Sequence, residues 1–327
     1  MSGIVDSYRR RINYMRVSVT DRCNLRCIYC TASTVPLLRH EDILRYEEIH
    51  QVVQAAALLG VRKIRLTGGE PLARLGLSRL VELLSQVEGI DEVSLTTNGT
   101  LLDRYAAELK AAGLRRVNVS LDSLRPERFQ QITGSDRLNE VLRGIEAAKA
   151  AELNPVKINM VVMKGINDDE ILDFARRSLG DGWHVRFIEY MPLVDNGTQG
   201  NWLMAIEDIK AIIEESLGEL KPCWPGAGNG PARYYQLAGA KGTIGFIGAV
   251  TECFCAQCNR FRLTADGHLR PCLLEDDEVD IKGPLRRGAS IEELARLIQG
   301  AAALKREQHR LGEGPVLVKR QMRQIGG

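Results

Sequence analysis

The sequence predicts an α/β fold: an open, partial (β/α)6 barrel followed by a C-terminal extension. Three observations lead there. Between residues 16 and 190, six short β-branched runs alternate with amphipathic helical stretches, the pattern of parallel strands joined by crossover helices. Unusual residues fall just beyond the ends of those runs, where parallel barrels carry their chemistry. Six units rather than eight leave the barrel unclosed.

The six runs are MRVSV, KIRLT, EVSLT, RVNVSL, VKINMVV and HVRFIEY. After the first, Ile49, Val52, Val53, Ala56 and Leu59 recur at helical spacing, and Gly60 stops the helix. Leu77, Leu80, Val81 and Leu84 repeat the logic after KIRLT, and residues 101–112 after EVSLT, ending at Gly113. These stripes face the core. A further helix is expected over 205–217, then the Gly/Pro-rich CWPGAGNGPARYY as a boundary or covering loop. A short β-like run, GTIGFIG, and a helix over 291–304 follow. The chain is accordingly divided into residues 1–222 and 223–327.

At 327 residues, 44% hydrophobic and 26% charged, the chain suffices for one large core, or one core and a smaller domain. Lys and Arg total 44 against 42 Asp and Glu, so the overall field is weak. That argues against a general nucleic-acid or membrane-surface binder and makes any anion recognition local. No apolar run approaches the roughly 18 residues of a membrane helix. The start, MSGIVDSYRRR, has no apolar stretch to serve as a signal peptide, so the cytoplasm is expected.

Eight cysteines are clustered: 23, 27 and 30; then 253, 255, 258 and 272; Cys223 stands alone. Thiolates at i, i+4 and i+7 converge on one centre if the backbone loops round it, and three of them suit an iron–sulfur cluster or a soft metal. Structural zinc wants a fourth ligand, which His40 offers. Three ligands on a cubane leave one iron for a substrate or cofactor. Cys255, Cys258 and Cys272 offer a second set of three. Cys253 either substitutes in it, completes four ligands or is a bystander.

CNLRCIYC, with Tyr29 before its last cysteine, and the downstream GGEP resemble the radical S-adenosylmethionine (radical SAM) superfamily. Adding CAQCNRFRLTADG, SVTDRC, RLTGGEP, TTNG, VSLDS, RFIEYMP and the terminal GlyGly, the chain from about residue 16 to 327 is similar to the GTP 3',8-cyclases of molybdenum cofactor biosynthesis. The resemblance implies a TIM-type partial barrel whose extension carries a second iron–sulfur cluster. It implies a lyase that converts GTP to 3',8-cyclo-7,8-dihydro-GTP, by abstraction of the ribose 3' hydrogen and attack on C8.

Two 4Fe-4S clusters are implied, on Cys23, Cys27 and Cys30 and on Cys255, Cys258 and Cys272, with S-adenosyl-L-methionine at Tyr29, Gly69, Ser120 and Met191. GTP would meet Arg16, Arg65, Thr96, Lys157, Arg260 and Arg262, while Arg186, Gly326 and Gly327 take catalytic roles. A reductant protein, a cyclic pyranopterin monophosphate synthase acting next, and a homodimer are implied as partners. Two departures from the family pattern are Thr31-Ala32 after the first cluster motif and the tail QMRQIGG.

Arg65 and Arg186 lie inside strand-like runs, where an unpaired buried charge is costly, so a buried anion or carboxylate is expected beside them. Two rival readings remain. A radical SAM peptide-modifying enzyme with an auxiliary cluster would not need Arg260, Arg262 and the terminal glycines. An iron–sulfur electron carrier or sensor would not need GGEP.

Overall fold

The computed structural model describes residues 3–30, 36–193, 202–224, 230–309, 311 and 320–326. The six runs form β1 (Tyr14–Ser18), β2 (Lys63–Thr67), β3 (Glu92–Thr97), β4 (Arg116–Ser120), β5 (Lys157–Val162) and β6 (His184–Glu189). Each pairs in parallel with the next. Between them lie α1 (Tyr46–Leu58), α2 (Leu77–Ser85), α3 (Leu102–Ala111), α4 (Pro126–Thr133), α5 (Leu138–Ala150) and α6 (Ile171–Gly180), with α7 (Ile206–Leu217) after β6.

Alternation along the strands sorts residues onto two faces. Val17, Ile64, Leu66, Val117, Val119, Ile158, Met160, Val185 and Phe187 are fully buried in the apolar core beneath the helices. Their neighbours Arg16, Arg65, Asn118, Lys157, Asn159 and Arg186 line an internal cavity instead. A parallel strand that alternated into solvent would expose half its sheet; here the polar half encloses a site.

The rest of the chain extends this sheet at both edges. It supplies β7 (Lys221–Pro222), β8 (Arg233–Gln236), β9 (Thr243–Ile247), β10 (Arg260–Leu263), β11 (His268–Arg270) and β12 (Val279–Asp280), then α8 (Lys282–Arg286), α9 (Ile291–Ala303) and α10 (Met322–Ile325). The strand order is β12-β11-β10-β1-β2-β3-β4-β5-β6-β9-β8-β7, one open sheet. β10 joins β1 and β9 joins β6 in parallel; the outer strands are antiparallel. GTIGFIG is thus β9, an inner strand, and α9 packs beside α1.

Buried carboxylates staple the loops at the C-terminal rim. Glu170 accepts from Ser123 Oγ at 2.7 Å and Leu124 N at 2.7 Å, joining the loops after β4 and β5. Glu189 accepts from Ile206 N, Val250 N and Thr251 N at 3.2, 2.7 and 3.0 Å, joining those after β6 and β9. Loop amides that no ladder satisfies find their partners here.

The contact of α3 with α5 depends on Gly144. A Cβ there would stand 2.5 Å from the Gly99 carbonyl oxygen and 3.0 Å from Leu102 Cβ. Alanine would gain about 1 kcal/mol of helix propensity in mid-helix, yet backbone cannot yield as a side chain can. Overpacking costs about 1–3 kcal/mol, so Gly144→Ala is expected to lower the denaturation midpoint with an unchanged m-value. A raised midpoint would show that α3 and α5 separate freely.

Candidate active site

The cavity inside the sheet encloses about 310 Å³, and both cysteine triads line it. The first triad lies in the loop after β1, and that loop is pressed onto the GGEP turn. Gly69 N donates to Thr20 O at 2.7 Å and Glu70 N to Arg22 O at 2.8 Å. A Cβ on Gly68, at φ +148°, would stand 2.4 Å from Thr20 O, and one on Gly69 2.3 Å from Arg22 O. Only glycine permits this approach.

Glu70 carries the constraint onward. Its carboxylate accepts from Leu72 N at 3.0 Å, Thr97 Oγ1 at 2.7 Å and Asn98 N at 2.7 Å, and burial pushes it up to about 7 against those bonds. Asn98 Nδ2 then donates to Asn24 Oδ1 at 2.8 Å and faces Cys23 Sγ at 3.8 Å. GGEP and TTNG thereby hold the first triad from below.

Tyr29 donates to Asp122 Oδ2 at 2.7 Å, while Asp122 Oδ1 accepts from Val161 N at 2.8 Å. Burial raises Asp122 to about 6 and Tyr29 well above the usual tyrosine range. Burial likewise raises the thiols of Cys23 and Cys27. Gly69, Ser120 and Met191 line the same cavity as Tyr29, Asp122, Cys23 and Cys27.

Cations fill the strand face. By register, Arg262 on β10 lies opposite Arg16 on β1, and Arg16 opposite Arg65 on β2. All three guanidinium groups line the cavity, and directly opposed like charges are destabilising by themselves. Arg65 Nε donates to the hydroxyl of Tyr14, and its Nη1 is 3.5 Å from Thr96 Oγ1. Burial would raise Tyr14, but Arg65 and Arg16 outweigh it and bring the phenol down to about 8.

Arg186 is buried, and neither its Nε nor its Nη2 has a hydrogen-bond partner among the described residues. Lys157 donates to Tyr234 Oη at 3.0 Å; burial, then Arg186 and Arg116, lower its ammonium to about 6. Arg116 is paired with Glu92 at 2.5 Å. Among the described residues Arg65 and Arg262 meet no such carboxylate, and the concentrated fixed charge suits a polyanion.

Around the second triad, Lys305 Nζ donates to Pro271 O at 2.7 Å and Arg260 O at 3.3 Å, tying the strand of Arg260 to the segment of Cys272. Burial would raise Cys258, but Arg260 and Lys305 bring it down to about 6, favouring the thiolate. Arg260 stacks over Phe254 at 5.1 Å. Arg262 Nη1 donates to Gly326 O at 2.5 Å. A Cβ on Gly326, at φ +79°, would stand 2.2 Å from Thr67 Oγ1. Gly327, Thr31 and Ala32 lie outside the described residues.

The donor sets fit iron–sulfur clusters: two groups of three thiols, none in a disulfide, facing one cavity. His40 is exposed and belongs to no set of three donors within 4.8 Å among the described residues. The cavity also holds residues that motif reading passed over. Tyr14, Arg116 and Asn118 carried a signal, since each stands two positions from another inward residue on its strand. Tyr234 carried none, lying in the Gly/Pro-rich stretch.

Residues 17–177 match the Radical SAM superfamily and residues 183–311 match Molybdenum Cofactor Synthesis C. The GTP 3',8-cyclase of Heliobacterium modesticaldum is 53% identical over 332 residues, covering 99% of this chain and 100% of that one. That of Pelotomaculum thermopropionicum is 52% identical, covering 98% and 99%. The Streptococcus suis protein SuiB, solved with S-adenosylmethionine, shares the fold at TM-score 0.63 and 13% identity; the match covers 82% of this chain and 63% of SuiB. With 53% and 52% identity to these cyclases over 99% and 98% of its length, the chain belongs to the GTP 3',8-cyclase family of radical SAM enzymes.

Proposed function

We propose that the chain converts GTP to 3',8-cyclo-7,8-dihydro-GTP, the opening step of molybdenum cofactor biosynthesis, with the nucleotide held on the inner face of the sheet. The observation that carries this reading is the cross-strand row Arg262, Arg16 and Arg65, set in one cavity with both cysteine triads. An electron carrier has no use for such a row.

Cys23, Cys27 and Cys30 would hold the first 4Fe-4S cluster, with S-adenosyl-L-methionine beside Tyr29, Gly69, Ser120 and Met191. When bound, that pair supplies a hydrogen-atom acceptor of great oxidising strength. Cys255, Cys258 and Cys272 would hold the second cluster, near the guanine. Arg16, Arg65, Arg260, Arg262 and Lys157, with the Thr96 hydroxyl, bind the triphosphate and fix the ribose, so that one hydrogen and no other is within reach. Arg186 brings two unpartnered donors to the substrate. Gly326 and Gly327 take a catalytic role as a tail without side chains, and at Gly326 a side chain would collide with Thr67.

The division near residue 222 is functional in this reading: the first part positions S-adenosyl-L-methionine and the second the guanine. An external reductant protein must supply the electron that the described residues do not, and a cyclic pyranopterin monophosphate synthase takes the product. We place the enzyme in the cytoplasm as a homodimer. Among the described residues no helix is long and apolar enough to cross a membrane, and free cysteines accord with a reducing compartment.

Anaerobic reconstitution followed by S-adenosyl-L-methionine, GTP and a strong reductant is expected to give 5'-deoxyadenosine only when GTP is present. GTP recovered unchanged would refute the reading. Arg186→Ala loses charge-assisted hydrogen bonds of about 1.5–3 kcal/mol, so kcat/KM for GTP should fall roughly 10- to 100-fold while iron content stays constant.

Proton uptake tests the same cavity. With Lys157 at about 6 in the free protein, the amine is mostly neutral at pH 7.5. A triphosphate raises that value, so binding takes up about one proton between the two pKa values. Calorimetry of GTP binding in buffers of different ionisation enthalpy should show this uptake, and Lys157→Met should abolish it. Separately, one tyrosine should titrate near pH 8 by ultraviolet absorbance in the ligand-free protein and be missing from Tyr14→Phe.

A further inference from the structure

We propose that Cys253, Cys255 and His309 form a site for a single thiophilic divalent cation of the zinc type, distinct in kind from the two iron–sulfur sites. Their donor atoms lie within 4.8 Å of one another, the one group of three to do so among the described residues. Cys253 Sγ and His309 Nε2 are 3.9 Å apart. Two sulfurs and one imidazole nitrogen at this spacing suit one small ion, with a fourth position left for water. A cubane spreads its thiolates over separate irons and asks for a wider set.

His309 lies 56 positions beyond Cys253, and a buried arginine joins its segment to the turn that carries both cysteines. Arg10 Nη1 donates to Cys255 O at 2.8 Å and Glu307 O at 2.9 Å, and Nη2 to Arg306 O at 2.6 Å. The turn carrying the cysteines and the segment carrying the histidine are therefore clamped together. Asp6 in turn fixes Arg10, at 2.5 Å. Leu311 N donates to His309 Nδ1 at 3.2 Å. Loading through Nε2 moves the ring proton to Nδ1 and releases that bond; the two thiols give their protons to solvent.

Cys255 belongs to both this set and the second triad, so single-ion and cluster occupancy exclude each other. That consequence rests on the proposed role of Cys255, Cys258 and Cys272; the ion site itself does not. A zinc-type ion here would hold the chain in a form unable to complete its second cluster.

The full chain with Cys23, Cys27 and Cys30 replaced by alanine removes competition from the first triad. Stripped of metal without oxygen and titrated with Co²⁺, it is expected to bind one equivalent and show thiolate-to-cobalt charge-transfer absorption. Adding Cys258→Ala and Cys272→Ala should leave both in place. Because changes outside a metal's own ligands already cost about 10- to 100-fold, adding Cys253→Ser or His309→Ala should weaken binding by more than about 100-fold. Absorption that survives Cys253→Ser but disappears with Cys258→Ala places the ion in the second triad and overturns the proposal, as does failure to reach one equivalent.

Exclusion is read separately, from iron uptake on reconstitution with iron and sulfide. Zinc-loaded chain should take up less iron than zinc-free chain, and Cys253→Ser with His309→Ala should erase the difference. Equal uptake overturns the exclusion. If iron uptake is instead indifferent to Cys255→Ala, Cys258→Ala and Cys272→Ala together, the cluster assignment fails, whatever the cobalt result.

Discussion

Like charges set side by side on three adjacent strands are the constraint around which this structure is arranged. Arg262, Arg16 and Arg65 occupy matching register positions on β10, β1 and β2. In a sheet folded for stability alone these would be apolar or of mixed sign. Burial and the neighbouring guanidiniums push Arg16 well below the arginine range, and Arg262 down to about 10. The protein retains the cost because the strands on which these residues stand bury a large apolar face on their other side. Val17, Leu66 and Leu263 are all fully buried there.

From that row the rest of the site follows by adjacency. Residues that leave β1 reach the first cysteine triad within a few positions, and the chain that enters β10 has just left Cys255 and Cys258. Pairing β10 with β1 therefore brings the two triads and the cation row to one cavity in a single act of strand docking. The rim loops could not hold such a layout alone. Glu70, Glu170 and Glu189 provide acceptors for loop amides, Asp122 for an amide of β5, and Gly68 and Gly69 let two loops touch backbone to backbone.

How far this was legible in the sequence depended on which physical signal each element carried. The six inner runs combined β-branched residues with helical stripes between them, and β1 to β6 lie where they were read, within one or two residues. RFRL carried no such signal. Two arginines among four residues read as a motif, and only its partner β1, which offers Arg16 and Tyr14 in register, makes it a strand. The cysteine triads were visible because spacing alone encodes them. Tyr14 carried only its alternation with Arg16; its bond with Arg65, a residue 51 positions away, was not visible. The glycines of GGEP were legible as an unusual turn. Their contact with Thr20 and Arg22 was not, since sequence does not say which loop lies across from them.

The C-terminal tail shows how distant charge decides local chemistry. Arg320 is bound by both oxygens of Asp266, at 2.9 and 3.1 Å, and by both of Glu278, at 2.8 and 3.0 Å. Bidentate pairs on two carboxylates fix orientation as well as position. Burial would raise Asp266, yet His268, Thr264 and Arg320 together hold it well below the carboxylate range. The anchor thus stays ionised across ordinary pH. From Arg320 the short helix α10 spans the few residues to Gly326, whose carbonyl meets Arg262 and where a Cβ would run into Thr67 and Ser18. A side chain at 326 has nowhere to go while the anchor holds, so the glycine there is a consequence of where Asp266 and Glu278 stand.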